Sequence, residues 1–222
     1  MSTFKISPSL VSAPWLDLRN TVLELVESGA DYLHFDIEDG SFVPLMSMGT
    51  KLIADLRPLT DLPFDVHLMM QNPEWLIPSL IDDGANRISV HYEACPYPRR
   101  VLRQIVELGA EAGLAFNPAT PLPDLDFLAP YLSFIVILTT EPEGPDCPYL
   151  PTVLDKVRKG RKDPYLANLE WVVDGGVKPE NILEVIQAGA DTVVVGRSMF
   201  LGGKIAQNIS TLREKGITQV HD

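Results

Sequence analysis

Side chains able to bind a divalent metal or move a proton interrupt three short apolar runs of this chain. They are His34 and Asp36 in Leu33-His34-Phe35-Asp36-Ile37-Glu38, His67 in Phe64-Asp65-Val66-His67-Leu68-Met69, and Asp174 in Trp171-Val172-Val173-Asp174. Strand side chains alternate with period two, so a β reading puts His34, Asp36 and Glu38 on one face and Leu33, Phe35 and Ile37 on the other. The same rule groups Asp65, His67 and Met69. Imidazoles and carboxylates on the inner face of an apolar strand need a reason, because buried charge is costly unless paired or metal-bound. The two imidazoles and two carboxylates of His34, Asp36, His67 and Asp174 could converge on one divalent cation. That nitrogen and oxygen set suits Zn²⁺, Mn²⁺, Fe²⁺ or Co²⁺ without choosing among them. Taken singly, each histidine also has a plainer reading as a hydrogen-bonded core residue.

A second group could hold an anion. Gly175-Gly176 and Val195-Gly196-Arg197 each follow an apolar run, where loop amides can approach a phosphate closely. The plainer reading is that these glycines make tight turns between a strand and a helix.

The elements that must position these residues follow from hydrophobic periodicity. Short β-branched runs alternate with longer amphipathic stretches, and strands are expected near Lys5–Leu10, Tyr32–Ile37, Phe64–Met69, Arg87–His91, Ala112–Phe116, Phe134–Leu138, Trp171–Asp174 and Thr192–Gly196. A weak repeat, Gly29-Ala30-Asp31, Gly84-Ala85-Asn86, Gly109-Ala110-Glu111 and Gly189-Ala190-Asp191, stands before four of them. Each triplet reads as a helix stop, since glycine adopts the left-handed conformation cheaply. Eight such units in 222 residues fit one closed (β/α)8 barrel domain spanning residues 1–222, with an open doubly wound sheet as the alternative. In a barrel the carboxyl ends of the strands surround one mouth, which gathers the scattered candidates into one constellation.

Composition sets the outer bounds. The chain is 45% hydrophobic and 22% charged, as in an ordinary globular protein. Its formal net charge of -12 argues against a nucleic-acid partner, because phosphate backbones are held by clustered Lys and Arg. Two cysteines, Cys95 and Cys147, are too few for a disulfide framework. With no apolar stretch of about 18 residues, a cytoplasmic protein with no membrane partner is expected.

Read together, Ile6-Ser7-Pro8-Ser9-Leu10, His34-Phe35-Asp36, Asp39-Gly40-Ser41-Phe42-Val43-Pro44, Asp65-Val66-His67-Leu68-Met69, Asn117-Pro118-Ala119-Thr120-Pro121 and Val173-Asp174-Gly175-Gly176 resemble the motifs of ribulose-phosphate 3-epimerases, in order along nearly the whole chain. The resemblance implies a single divalent metal held by His34, Asp36, His67 and Asp174, with no organic cofactor. It implies Asp36 and Asp174 as acid and base, and Ser9, His67 and Met69 against a ketose phosphate. Gly144, Gly175, Gly176, Gly196 and Arg197 complete the expected substrate contacts, and a homo-oligomer is expected.

Departures from the family pattern bear on the substrate. Glu38 stands where methionine is usual, and it could meet a substrate hydroxyl, add a metal ligand or turn to solvent. The glycine-rich loop usual after the sixth strand reads Glu141-Pro142-Glu143-Gly144-Pro145-Asp146-Cys147, with one glycine and three acids. Carboxylates repel phosphate and lost glycines block close backbone approach, so this loop cannot cradle a dianion in the usual way. Arg197 replaces the usual serine and could grip phosphate itself or pair with Glu141 or Glu143. These changes suit a divergent paralogue, acting on D-ribulose 5-phosphate or on another ketose phosphate such as a hexulose phosphate. The alternative of another class is a catalytically silent sugar-phosphate-binding barrel. His91 and Glu93 follow the fourth strand and resemble a family feature, but the structural reading is preferred for them.

Overall fold

The expected runs form eight parallel strands, β1 (Lys5–Pro8), β2 (Leu33–Glu38), β3 (Phe64–Met69), β4 (Arg87–His91), β5 (Glu111–Phe116), β6 (Phe134–Leu138), β7 (Glu170–Asp174) and β8 (Thr192–Val195). The structure, a computed structural model, describes residues 4–142, 144 and 147–217. Strand order runs β1-β8-β7-β6-β5-β4-β3-β2, so β1 and β2 are the ends of the sheet. A parallel bridge between Ser9 and His34, and a hydrogen bond from the Asp31 amide to the Ile6 carbonyl at 3.0 Å, bring those ends together. The result is a single (β/α)8 barrel, and the open doubly wound sheet is set aside.

Helices α1 (Leu18–Glu27), α2 (Lys51–Leu56), α3 (Ile77–Asp82) and α4 (Pro98–Glu107) follow β1 to β4 in turn. The crossover from β5 to β6 carries only a 3-10 turn at Ala129–Tyr131. Helix α5 (Asp155–Gly160) follows β6 and α6 (Ile182–Gln187) follows β7; α7 (Arg197–Phe200) and α8 (Ile205–Gly216) both come after β8. Outward-facing Leu33, Phe35, Ile37, Val66 and Leu68 pack beneath these helices in one large buried cluster.

The barrel interior is divided. Ala115, Phe134, Val136, Leu138, Val172 and Val194 form an apolar cluster on the β5 to β8 side. Phe134 occupies the space that the missing side chain of Gly113 leaves, since a Cβ there would stand 2.3 Å from the ring. The β1 to β4 side instead buries Ser7, His34, Asp36, Asp65, His67, Arg87, Ser89 and His91.

The repeated triplets do more than end helices. Their glycines, Gly29, Gly84, Gly109 and Gly189, all have positive φ. In three of them the following polar side chain also caps a strand: Asp31 accepts from the Ile6 amide at 2.7 Å, Asn86 from Phe64 at 2.8 Å and Asp191 from Trp171 at 2.8 Å. An arginine from elsewhere, Arg213, Arg57 or Arg161, meets each of those caps. At the amino-terminal floor, Glu170 accepts from Lys5 and Arg87 at 2.8 Å each and from Thr192 at 2.7 Å.

Candidate active site

The register of β2 against β3 sets the site. His34 stands opposite Asp65 and Asp36 opposite His67, so each imidazole faces a carboxylate across the two strands. Asp174 reaches the same point from the end of β7. One ligand atom from each of His34, Asp36, His67 and Asp174 lies within 4.8 Å of every other. His34 Nε2 is 3.1 Å from Asp36 Oδ1 and 3.8 Å from Asp174 Oδ2. His67 Nδ1 is 3.6 Å from Asp36 Oδ1 and 3.5 Å from Asp174 Oδ2. A tetrahedral ion with bonds of roughly 2.0–2.2 Å spaces its ligand atoms about 3.3–3.6 Å apart. The donor set therefore fits such an ion, and His67 Nδ1 is a buried nitrogen without a hydrogen-bond partner among the described residues.

Neighbouring groups fix which ring nitrogens face the centre. Asp65 Oδ2 lies 2.8 Å from His34 Nδ1, which assigns the proton to that nitrogen and leaves Nε2 as the donor atom. Asp65 is itself held by Arg87, whose Nε is 3.3 Å from Oδ1. On the other side, His67 Nε2 is 2.9 Å from His91 Nε2, and His91 Nδ1 is 3.2 Å from Glu93 Oε2. With His67 donating to His91 and His91 donating to Glu93, Nδ1 of His67 is left to face the centre. The His91 ring stacks on His67 with centroids 4.9 Å apart, and the Phe42 ring meets the other side of His91 at a tilt of 51°, 4.7 Å away. Asp39 holds Phe42 in place by accepting from the amides of Ser41 at 2.8 Å and Phe42 at 2.7 Å, and it ties the loop to β3 through the Gln71 amide at 2.8 Å.

The electrostatics follow from this packing. Burial alone would lower the pKa of His34 and His67, but the carboxylates around them outweigh it and raise both. The same imidazoles hold Asp36 well below the usual carboxylate range against the effect of burial. The carboxylates that favour a proton on each imidazole would equally favour a divalent cation in place of those protons. His91 goes the other way, pushed down to about 4 by burial and by His67, so it is the neutral member of the relay. Glu93 is pulled down to about 2, since the hydrogen bond of His91 and those of the Asn117 segment outweigh its burial.

A cavity of about 640 Å³ opens above this cluster. Ser9, Asp36, Glu38, Met69, Asp174, Gly144, Gly175, Gly176, Gly196 and Arg197 all line it. Ser9 donates to Asp36 Oδ2 at 2.5 Å. It comes after β1, which ends at Pro8 rather than at Leu10 because the chain turns into a 3-10 helix at Leu10–Ser12. Thr139 pins the end of β7 by donating to the carbonyls of Asp174 at 3.0 Å and Gly175 at 2.5 Å. The plainer reading of Gly175 also applies: its φ is +107° and a Cβ would stand 2.8 Å from the Thr140 amide nitrogen.

A sequence profile of the Ribulose-phosphate 3 epimerase family matches residues 5–200. The chain is 36% identical over 217 residues to ribulose-phosphate 3-epimerase from Bacillus subtilis (strain 168), covering 94% of this chain and 98% of that one. It is 38% identical over 212 residues to the Synechocystis sp. (strain ATCC 27184 / PCC 6803 / Kazusa) enzyme of the same name, covering 94% and 92%. The chain belongs to the ribulose-phosphate 3-epimerase family. That places it among isomerases of the epimerase class. Its barrel is also similar to a solved tryptophan synthase from Pyrococcus furiosus, at a TM-score of 0.66 and 18% identity over 97% of this chain and 98% of that one. At that identity the likeness speaks for the fold alone.

Within this family member, the cavity also takes in residues that sequence reasoning left aside. Lys178, Tyr149 and Ser12 line it beside the expected glycines. Asp65, His91 and Glu93 form the outer layer around the four converging groups, and spacing could not assign that layer because Asp65 meets His34 and His91 meets His67 across strands. Glu38 does not join the four converging groups and lines the cavity wall, where burial foremost, and the charge of Asp36, raise its pKa against the opposing effect of Ser47. Glu143, Pro145, Asp146 and His221 lie outside the described residues. Among those described, no helix is long and apolar enough to cross a membrane.

Proposed function

We propose that this protein is a metal-dependent epimerase that inverts C3 of a ketose phosphate, D-ribulose 5-phosphate or a close relative, with Asp36 and Asp174 as acid and base. The observation that carries the reading is the convergence of His34, Asp36, His67 and Asp174 at the mouth of the barrel. A divalent cation bound there would supply electrostatic stabilisation for the negative charge that develops on the substrate oxygens as the carbon acid loses its proton. Asp36 and Asp174 approach from β2 and β7, on different sides of the mouth. One carboxylate takes the C3 proton while the other returns a proton to the opposite face, and configuration inverts without a redox cofactor. Ser9 holds Asp36 through its hydroxyl, Met69 covers the reacting carbons, the amides of Gly175, Gly176 and Gly196 with Arg197 hold the phosphate, and Gly144 adds to the substrate wall. His67 contributes to both the metal set and the substrate wall.

The altered loop at Glu141–Cys147, Glu38 and Arg197 favour substrate recognition that differs from the family's usual pattern, so a hexulose phosphate stands beside the pentulose phosphate as substrate. A cytoplasmic homo-oligomer without nucleic-acid or membrane partners completes the reading; the unpaired cysteines support the compartment and the acidic charge the lack of a nucleic-acid partner. The test is a panel of pentulose and hexulose phosphates offered to protein loaded with Zn²⁺, Mn²⁺, Fe²⁺ or Co²⁺ in turn. Formation of the C3 epimer of at least one of them supports the reading. Binding of sugar phosphates without epimer formation under any metal overturns it in favour of a silent binding barrel.

A further inference from the structure

The mouth of the barrel carries a third carboxylate that the acid and base pair leaves unused. Glu38 stands two residues beyond Asp36 on the inward face of β2, about 6.6 Å further toward the opening, and opposite Met69 in the strand register. It lines the cavity beside Met46, Ser47 and Met69. The Ser47 hydroxyl donates to the Asp36 carbonyl at 3.3 Å. Glu38 Oε2 is buried and has no hydrogen-bond partner among the described residues. An acceptor held away from water without a partner is destabilising. In a cavity wall, the partner that removes this cost is a donor that arrives with the ligand.

Strand order identifies which part of the ligand supplies that donor. Gly175, Gly176, Gly196 and Arg197 follow β7 and β8, whereas Glu38 and Met69 end β2 and β3. From the first pair of strands to the second is three steps around a ring of eight, so the two groups face each other across the mouth. A ketose phosphate with its phosphate at the first group and its reacting carbons over the metal-ligand cluster turns its unphosphorylated end toward Glu38. We infer that Glu38 accepts a hydrogen bond from the terminal hydroxyl at that end and thereby selects ketose phosphates ending in hydroxymethyl over those ending in methyl. This inference rests on the epimerase reading above and deepens it. A site built to bond a hydroxyl discriminates strongly against an analogue that lacks it, because its acceptor is then left buried and unpaired.

The probes are a pentitol 5-phosphate and its 1-deoxy counterpart, which lack the ketone and cannot be turned over. Each is titrated calorimetrically into the metal-loaded protein and into the Glu38→Met and Glu38→Gln variants, and solvent exchange at C3 of a ketose 5-phosphate is followed alongside. The expected result for the native chain is affinity about 10–100-fold higher for the full polyol, the yield of one charge-assisted hydrogen bond. In Glu38→Met that ratio falls to within about 3-fold, and the isosteric Glu38→Gln variant lies between. An unchanged ratio in both variants, with C3 exchange intact, would overturn the role of Glu38 and leave the epimerase reading standing. Absent C3 exchange with the affinity ratio as expected would remove the epimerase reading and keep the Glu38 contact. Failure of the native protein to bind either polyol would overturn the role of Glu38, and C3 exchange decides the epimerase reading by itself.

Discussion

Asp65 is expected to control metal affinity although it touches no metal position. It is buried, receives the Nδ1 proton of His34 at 2.8 Å and stands 3.3 Å from Arg87 Nε. Replacing it by asparagine keeps the shape and removes the charge. An asparagine oriented to accept from His34 turns its amide nitrogen toward Arg87, donor against donor. In the opposite orientation it donates to His34 Nδ1, which moves the ring proton to Nε2 and blocks the nitrogen that faces the centre. Either arrangement loses the charge-assisted bond, a net loss of about 1–1.5 kcal/mol. The tautomer conflict adds to it, so Asp65→Asn should raise the metal dissociation constant about 10–100-fold, roughly 1.4–2.7 kcal/mol. Competition against a chromogenic chelator, with Zn²⁺ or Mn²⁺ as the probe, measures this. Metal-free thermal unfolding run in parallel reports the structural share, which Arg87 limits by keeping Glu170 at 2.8 Å and the Phe134 ring at 3.7 Å. Metal affinity within about 3-fold of the native value, together with lowered stability, would refute the reasoning and reduce Asp65 to a partner of Arg87.

Three further outcomes follow from the same structure. Because His34 and His67 have raised pKa values in the metal-free protein, metal uptake near neutral pH should expel protons and affinity should fall as pH falls, which calorimetry in two buffers of different ionisation enthalpy reads as net proton release; no net release would contradict the raised imidazole pKa values. Gly113→Ala should destabilise by about 1–3 kcal/mol, lowering Tm by roughly 2–12 °C, because the new methyl group meets the buried Phe134 ring; an unchanged melting curve would show that the interior can relax there. Arg197→Ser should weaken phosphorylated ketoses about 2–5-fold more than unphosphorylated ones, as expected for an exposed charge contact; equal losses in competition binding would take Arg197 out of the phosphate site.

Much of the barrel was legible because parallel strands are short apolar runs and the triplets before them carry glycine. The positions of β3, β4 and β6 agree with the periodicity at both ends, while β5 and β7 start one residue earlier at Glu111 and Glu170. Period two alone put His34, Asp36 and His67 on one inner surface. What it could not supply was the pairing across strands. That Asp65 serves His34 and that His91 stacks on His67 depend on the registers of β2 with β3 and β3 with β4. His91 looked structural for the same reason, since a histidine beside Tyr92 and Glu93 gives no sign of the ring it meets. The β5 to β6 crossover was hidden differently, because its proline-rich sequence between Asn117 and Pro130 says that a regular helix is broken without saying what replaces it. The triplet caps combine both cases: glycine announces the turn, but only the fold reveals that Asp31, Asn86 and Asp191 latch the neighbouring strands.

Proton traffic at C3 tests the account most directly. A ketose phosphate substrate incubated in D2O with the metal-loaded protein should acquire deuterium at C3 as its epimer appears, and Asp36→Asn or Asp174→Asn should abolish that exchange while the variants remain folded by circular dichroism. Exchange at the native rate in either variant, or epimer formation with the C3 hydrogen retained, would contradict the two-carboxylate mechanism.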